Sequence, residues 1–320
     1  MAHLLENMAY VGDVPWHGLG NQLSVNQPIE VWAQQAGMDW NIRESPVNFM
    51  TGDAVGSIGK IASFPENKVL FRSDTKAPLA VVSQRFHVVQ PSEILEFYRD
   101  LTDVSGFELE TAGVLKGGRK IWALARTGQS STLKGGDVTN GYVLLATACD
   151  GTLATTAQFT SIRVVCNNTL AVALGDSNGA VKVRHSTSFD PQSVKRQLGI
   201  SVSTWSSFMY RMKELSERRV KTHEAVSYLL RVFSDEKKPD SVKASERSMK
   251  KVLALFDGHG RGAGLAAAQG TAFGLLNSVT EFVDHERRAR SPDHRLESAW
   301  FGQGASLKER ALEQALMMIE

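Results

Sequence analysis

The sequence lacks the features that define several large classes of protein. Its 320 residues include only two cysteines, Cys149 and Cys166, which excludes a disulfide framework and predicts a reducing compartment. No stretch of 18 apolar residues occurs, so we expect no membrane-spanning helix. The first residues, MAHLLENMAYVGDVPW, have neither a basic start nor a continuous apolar stretch, so we expect no signal peptide and a cytoplasmic location.

Motifs for cofactors and metals are also missing. The glycine-rich stretch DGHGRGAG at 257–264 has no Gly-Lys-Ser/Thr ending and follows no clear strand, so it matches neither a Walker loop nor a dinucleotide fingerprint. A flexible surface loop between helices is the expected alternative. His285 and His294, with Asp284 and Asp293 beside them, could bind zinc only by folding together, and a helix-end cap or solvated charge cluster is the other interpretation. We therefore expect no metal and no cofactor.

Cys166 is the one candidate nucleophile. It lies in RVVCNNT, at a predicted junction between a strand and a helix, where a helix N-terminus would lower the pKa of a thiol. No partner histidine is evident, and a buried structural cysteine is the alternative. The sequence therefore predicts no catalytic site. An enzyme of unfamiliar chemistry stays a third hypothesis, which requires Cys166, Asn167 and a histidine to share one cleft.

The pattern of the first half predicts an α+β fold with a mainly antiparallel sheet over residues 38–166 and helices packed on it. Helices are expected at 28–36 and 92–102. Glycine-containing or polar turns predict hairpins around Thr75–Ala77, Lys116–Gly118 and Asp150-Gly151. Asn167 or Asn168 is placed to cap a further helix.

The second half has a helical period. The strand-rich part ends near residue 190, so we predict an α+β core domain at 1–190 and a helical C-terminal region at 191–320. Residues 192–233 are expected to form one or two long amphipathic helices. The polar stretch 234–246 contains Pro239 and predicts an exposed loop.

Charge is distributed unevenly along the chain. Residues 1–150 carry 12 Lys/Arg and 16 Asp/Glu, whereas residues 151–320 carry 24 and 18. Within 182–251 there are 16 basic and 8 acidic residues. This asymmetry favours an anionic partner for the second half, and a solvated helical face is the alternative.

Basic and aromatic residues occur together in WSSFMYRMKELSERRVK at 205–221. Basic side chains can neutralise phosphates and aromatic rings can stack on bases, which favours nucleic acid as the partner. The alternative is that Trp205, Phe208 and Met212 form the buried stripe of an amphipathic helix. The basic turn from Lys116 to Lys120 is a second feature of this kind, and it is also typical of a simple soluble turn.

Several segments of the chain resemble one family. They are VPWHGLG at 14–20, AGMDWNI at 36–42, LAVVSQRFHVVQPSEILEF at 79–97, FTSIRVVCNNTL at 159–170, GTAFGLLNSVTEFVDH at 270–285 and FGQGASLKERAL at 301–312. They identify the chain as a member of the phage/plasmid-like protein family, catalogued as a domain of unknown function. The resemblance implies that the chain is encoded on a mobile element.

The expected layout also resembles a second group of proteins. A helix at 28–36, strands from Trp40 to Val89 and a helix at 92–102 follow the order seen in phage single-strand annealing proteins of the Erf, Sak and Red-beta type. Those proteins form rings or filaments and hold single-stranded DNA in a basic groove, and this likeness is one of fold pattern alone.

These observations together predict a non-enzymatic DNA-binding protein that binds or anneals single-stranded DNA and forms a homo-oligomer. The side chains assigned to phosphate contact or stacking are Arg163, Arg184, Lys195, Arg196, Trp205, Arg211, Lys213, Arg218 and Arg219, with Lys116, Arg119 and Lys120 at the hairpin turn. The alternative is an interaction protein that binds a host protein, for which the acidic first half would be suited.

Overall fold

The computed structural model describes residues 5–12, 19–52, 59–165, 168–172, 180–198, 202–234 and 242–320. Within these ranges the chain forms eleven strands and nine α-helices. The strands are β1 (Leu5–Val11), β2 (Asn21–Leu23), β3 (Ile42–Thr51), β4 (Lys60–Arg72), β5 (Pro78–Ser83), β6 (Glu108–Leu115), β7 (Lys120–Leu133), β8 (Asp137–Ala148), β9 (Thr155–Arg163), β10 (Asn168–Ala171) and β11 (Ala180–Val183). The helices are α1 (Ile29–Gln35), α2 (Pro91–Ser105), α3 (Pro191–Leu198), α4 (Val202–Glu217), α5 (Thr222–Phe233), α6 (Val242–Ala254), α7 (Ala272–Glu281), α8 (Pro292–Phe301) and α9 (Gln303–Leu316).

Eight strands form one large sheet in the order β10-β9-β8-β7-β6-β1-β2, and β11 pairs with β9 on the same edge as β10, beyond the end of β10. Neighbouring strands are antiparallel except β1 and β2. The turns that the sequence predicts connect β6 to β7 and β8 to β9. Gly117 has a φ of 67° and Gly151 a φ of 74°, left-handed conformations that glycine adopts without steric cost. The α+β class and its mainly antiparallel sheet are confirmed.

The large sheet is apolar on both faces. Side chains alternate between the two faces along each strand, and here both sets of side chains are largely apolar. The helix face presents Ala123, Ala125, Val143 and Leu145, and the groove face presents Trp122, Leu124, Tyr142 and Leu144. On the helix face α2 packs against β6 and β7, and α4 packs against β7. On the groove face Trp300 of α8 meets Trp122 edge to face, with ring centroids 4.9 Å apart.

The apolar core of the helix face continues from the sheet into the C-terminal helices. Phe159 of β9 and Trp205 of α4 lie in this core with their ring centroids 5.8 Å apart. The boundary near residue 190 therefore marks a change from strand to helix, and one core runs across it. Among the described residues, every helix is too short or too polar to cross a membrane.

A second sheet has three strands in the order β3-β4-β5. Pro46 lies on the edge strand β3, as its missing N–H requires, and the pairing of β3 with β4 shifts register between Pro46 and Val47. Beyond this shift, Val47–Thr51 and Lys60–Phe64 continue as a two-stranded arm that β5 does not reach, since β5 pairs with β4 from Asn67 to Phe71. We call these ten residues the arm.

Three expectations need correction. Asn168 begins strand β10 rather than a helix, because Asn168–Ala171 pair with β9 and the N–H of Thr169 donates to the buried carboxylate of Asp284. Residues 192–233 form three helices rather than one or two. Of the predicted exposed loop at 234–246, residues 235–241 lie outside the described residues, and 242–246 belong to α6.

Tyr98 of α2 fastens this helix to the sheet. Its side chain is 1% exposed, and its hydroxyl lies 2.7 Å from the carbonyl oxygen of Ala123 and 3.0 Å from that of Val143. We expect Tyr98→Phe to lower the free energy of unfolding by about 1–2 kcal/mol, because the variant removes the donor from a buried site. Urea denaturation measures the change. Tyr210→Phe, at an exposed tyrosine, is the control and should stay within about 0.5 kcal/mol of the wild type. Equal effects of the two variants would contradict the assignment.

Candidate nucleic-acid interface

The predicted basic segment occupies three consecutive elements, β11, α3 and α4. Residues 182–221 carry nine Lys/Arg and three Asp/Glu. Helix α3 packs on β9 and β11, and both α3 and α4 bury apolar residues against the helix face of the sheet. The polar sides of these helices therefore point away from the sheet.

Lys182, Arg184 and Arg196 are exposed, on β11, after β11 and on α3. Lys195 is half-buried, and its ammonium lies 5.0 Å from the ring centroid of Phe97. A lysine over an aromatic face is held by a cation–π interaction, so Lys195 also attaches α3 to α2. The phosphate role predicted for Arg184 and Arg196 is compatible with their exposure.

Trp205 is buried rather than available for stacking. It is 5% exposed, lies in one cluster with Phe159 and Phe208, and donates from Nε1 to Ser131 Oγ at 2.9 Å. The alternative prediction of a buried stripe formed by Trp205, Phe208 and Met212 is therefore confirmed. In this conformation a nucleic-acid base cannot reach the indole.

Tyr210, rather than Trp205, is the aromatic residue of α4 whose ring is accessible for stacking on a base. It lies on the opposite side of α4 and is 61% exposed. Lys213, three residues further along, is also exposed. Residues three apart are neighbours on a helix surface, so α4 presents an aromatic ring and a cation side by side.

Three arginines of the segment have carboxylate or carbonyl partners within the chain. Arg211 lies 3.9 Å from Glu214 on the same helix. Arg218 forms an ion pair of 2.6 Å with Glu224 and lowers the pKa of that carboxyl to about 2. Arg219 is exposed but donates to the carbonyl oxygen of Gln269 at 2.6 Å. These three arginines contribute positive potential, with less freedom to follow a ligand than Lys213 has.

Arg163 is enclosed within the protein. Its side chain is 4% exposed and that of its partner Asp137 is 0% exposed. Arg163 Nε donates to Asp137 Oδ1 at 2.8 Å, and its Nη2 donates to Asp137 Oδ2 at 2.5 Å. The guanidinium is therefore neutralised by a bidentate partner and cannot meet a phosphate, contrary to the prediction.

The glycine-rich loop at 257–264 is attached to this buried pair. Arg163 donates to the carbonyl oxygens of Arg261 and Gly262, at 3.4 and 3.0 Å. The N–H of Arg261 donates to both carboxylate oxygens of Glu281 at 3.0 Å, and burial raises the pKa of Glu281. The backbone groups of the loop thus have internal partners, which favours the interpretation as a connecting loop over that as a nucleotide site.

The basic hairpin turn contacts α8. Lys116 and Lys120 each place Nζ 2.9 Å from Oε1 of Glu297, and Lys120 is 3% exposed. Burial alone would raise the pKa of Glu297, but the hydrogen bonds from the two lysines outweigh it and lower that pKa. Lys120 is thus a structural cation, contrary to the prediction. Arg119 is exposed between them.

The face of the sheet that carries Trp122 and Leu124 contains a groove, from which we have named it, and the sequence did not predict this groove. Its volume is about 1090 Å³, and it is lined by both apolar and charged side chains. At its floor Arg126 Nη2 donates to Tyr142 Oη at 3.3 Å, and Tyr142 Oη donates to Glu110 Oε2 at 3.0 Å. Burial raises the pKa of Tyr142 to about 12, so the phenol stays neutral.

Two irregularities of the strands surround this network. The pairing of β6 with β7 shifts between Leu109 and Thr111, and that of β7 with β8 shifts between Arg126 and Ser130. Such β-bulges redirect side chains and often lie beside functional sites. The carboxylates of Glu30, Glu108 and Glu110 outnumber the cations of Arg99 and Arg126 in the lining. The groove is therefore a poor site for phosphates.

The described residues give no support to a histidine metal site or to a cysteine nucleophile. No group of three His, Cys, Asp or Glu side chains there could hold a metal ion. His294 lies at the start of α8, where its N–H donates to the capping Ser291. Cys166 and Asn167 lie outside the described residues. Cys149 is buried, and burial raises the pKa of its thiol to about 12.

The exposed side chains of Arg184, Arg196, Tyr210 and Lys213 are those that we call the basic surface, whereas Lys182 lies on the groove face of the sheet, opposite α3 and α4. The chain is thus an α+β protein whose large sheet is apolar on both faces and whose basic surface lies on the side of α3 and α4.

Over residues 78–300 the chain matches the family described as a domain of unknown function, DUF932. The match spans more than half of the chain, from β5 into α8, so the chain belongs to this family. Membership of an uncharacterised domain family is thus confirmed, while the mobile-element origin and the likeness to annealing proteins stay predictions. No curated protein and no solved structure matches the chain.

The buried ion pair gives a stability prediction. Asp137→Asn should lower the free energy of unfolding by about 3–5 kcal/mol, because it leaves Arg163 charged and buried without its counter-ion. Glu110→Gln is the matched control, since the Glu110–Arg126 pair is 29% and 44% exposed and should contribute less than about 1 kcal/mol. Denaturant unfolding of both variants decides the comparison. A loss for Asp137→Asn no larger than that of the control would show that the pair does not anchor the structure.

The raised thiol pKa of Cys149 gives a second prediction. At pH 8 the thiolate fraction at a pKa of about 12 is roughly one in ten thousand. In a Cys166→Ser variant, a chromogenic disulfide reagent should therefore leave Cys149 unmodified in the native protein and modify it stoichiometrically in denaturant. Rapid modification under native conditions would show that the site is open to solvent.

Proposed function

We propose that this protein binds single-stranded DNA on the basic surface, with phosphates held by Arg184, Arg196 and Lys213. The observation that carries the proposal is the exposure of Tyr210 next to Lys213 on α4, because one face of the helix then offers an aromatic ring and an ammonium together. Its ring is available for stacking on a base, while the adjacent ammonium is available for the phosphate.

The distribution of charge supports the same partner. The cations of the basic surface lie after β11 and on the outer sides of α3 and α4, in a segment, residues 182–221, that has three acidic and nine basic residues. Arg219, just after the end of α4, adds to the positive potential there, whereas Arg211 and Arg218 are paired with carboxylates. A surface of this kind attracts a polyanion by releasing its condensed counter-ions, without reading its sequence.

Two resemblances extend the proposal to a biological role. The phage/plasmid-like segments suggest a mobile-element protein, and the order α1, then β3 to β5, then α2 follows that of phage annealing proteins. We therefore propose that the chain protects or anneals single strands during recombination of such an element. The order of elements is an analogy of fold, and the DNA-binding proposal does not depend on it.

Binding of a fluorescent oligothymidylate at two salt concentrations tests the proposal. Three phosphate contacts with a single strand predict a slope of about −2 for log K against log salt, and Arg196→Ala or Lys213→Ala should each reduce its magnitude by about 0.7. Tyr210→Ala should weaken binding by about 1–3 kcal/mol and leave the slope unchanged.

Matched variants make this measurement specific. Tyr210→Phe keeps the ring and should bind like the wild type. Lys134→Ala removes an exposed cation from the turn between β7 and β8, and it should change neither the affinity nor the slope. Absence of binding at low salt, or binding without salt dependence, would refute the proposal.

A further inference from the structure

The arm of the small sheet exposes apolar side chains on both of its faces. In its register Val47 faces Phe64 and Phe49 faces Ala62 across the strands, so these four side chains share one face. Met50 and Ile61 face each other on the opposite side. Phe49 and Phe64 are 47% and 45% exposed, and Met50 and Ile61 are 73% and 75% exposed.

Water on both faces is an unusual setting for such residues. A two-stranded hairpin alone is marginally stable, and it gains stability when an apolar face is covered by further strands or a helix. Among the described residues, the arm has no such cover. Contiguous exposed apolar surface of this kind marks an interaction site.

Apart from the charge of Lys60 at the start of β4, protection against strand pairing lies at the base of the arm. Proline, charge and register shifts prevent edges from pairing with other chains. Here Pro46, Pro65, the register shift after Pro46 and the 2.7 Å ion pair of Lys68 with Glu44 all lie at the base. The edge of β4 from Ile61 to Phe64 carries none of them, and among the described residues no strand pairs with that edge.

We propose that the arm is a self-association surface, and that its occupant is the arm of a second copy of this chain. A two-fold axis near Ala62 would place the Lys60–Phe64 edges of two copies antiparallel, and the two arms would form a four-stranded sheet. Because both copies contribute the same patch, the apolar faces of the two arms merge into one larger face.

Charge favours this occupant over a nucleic acid. Of the ten described residues of the arm, Lys60 alone is charged. The two Lys60 side chains would lie at opposite ends of the paired edges, next to the base of the other arm, where Glu66 is exposed. The arm thus offers a polyanion little attraction, whereas a second arm meets it with complementary ends.

The small number of residues in the arm determines how tightly we expect the dimer to associate. A stable interface involves about 20–30 residues on each side, and the arm supplies ten described ones. We therefore expect a dimer that dissociates in the micromolar range.

Light scattering after size exclusion, at loading concentrations from about 5 to 200 µM, tests the proposal. The wild type should shift from monomer to dimer across this range. Phe49→Glu and Ile61→Glu each bring a charge to one face of the arm and should raise the dissociation constant at least about 30-fold. Val81→Glu is the control, since Val81 is 61% exposed on β5 of the same sheet and outside the arm. Unchanged thermal unfolding of the three variants shows that each is folded.

Disulfide trapping locates the contact. In a Cys166→Ser background, Ala62→Cys or Ser63→Cys near the proposed axis should give a covalent dimer under mild oxidation, and Ser45→Cys at the arm base should not. A monomeric wild type at about 200 µM, a dimer that persists in both glutamate variants, or equal trapping at position 45 would each overturn the proposal. DNA binding by the basic surface is measured with other variants, so the two proposals can fail separately.

Discussion

The eight-stranded sheet is apolar on both faces, and the rest of the structure depends on the need to cover each of them. The helix face receives α2, α3, α4 and α7, which join it in one continuous core. The groove face receives α8, which meets it through Leu296 and Trp300. Cover on this face is incomplete, and the groove of about 1090 Å³ lies where the strands carry the charged residues Arg126 and Glu110 beside Tyr142. The basic surface is a consequence of the same requirement, since the helices that cover the helix face turn their polar sides outward.

The elements that the sequence predicted well are those specified by local pattern. The turn at Lys116–Gly118, the Asp150-Gly151 turn and the helix that begins at Pro91 depend on residues within a few positions of one another. The failure at Asn168 has the opposite cause. An asparagine after a strand favours a helix cap locally, but here pairing with β9 and the distant Asp284 decide the conformation. Tertiary contacts of this kind leave no signal in the sequence around residue 168.

Accessibility explains why the site was predicted only in part. Arg163 and Asp137 are 26 positions apart, and Lys120 and Glu297 are 177 positions apart, so neither ion pair could be found from spacing. Tyr210 is different, because its place could have been found. The buried positions Trp205, Phe208, Met212 and Leu215 follow helical spacing, and Tyr210 falls outside that stripe. An aromatic residue off the stripe is the one that remains available for a ligand.

Composition alone therefore overstated the basic character of this chain. Arg163 and Lys120 count toward its positive charge, yet each is more than 90% buried and neutralised by a carboxylate. The arm shows the converse, since its apolar residues, which composition would assign to a core, are exposed. The arm and the basic surface have no residue in common. Self-association through the arm would therefore leave Tyr210 and Lys213 unchanged in each copy and present two basic surfaces in one assembly. A strand of DNA that contacts both surfaces would be bound more tightly than either copy alone could bind it, if its length matches the span between them.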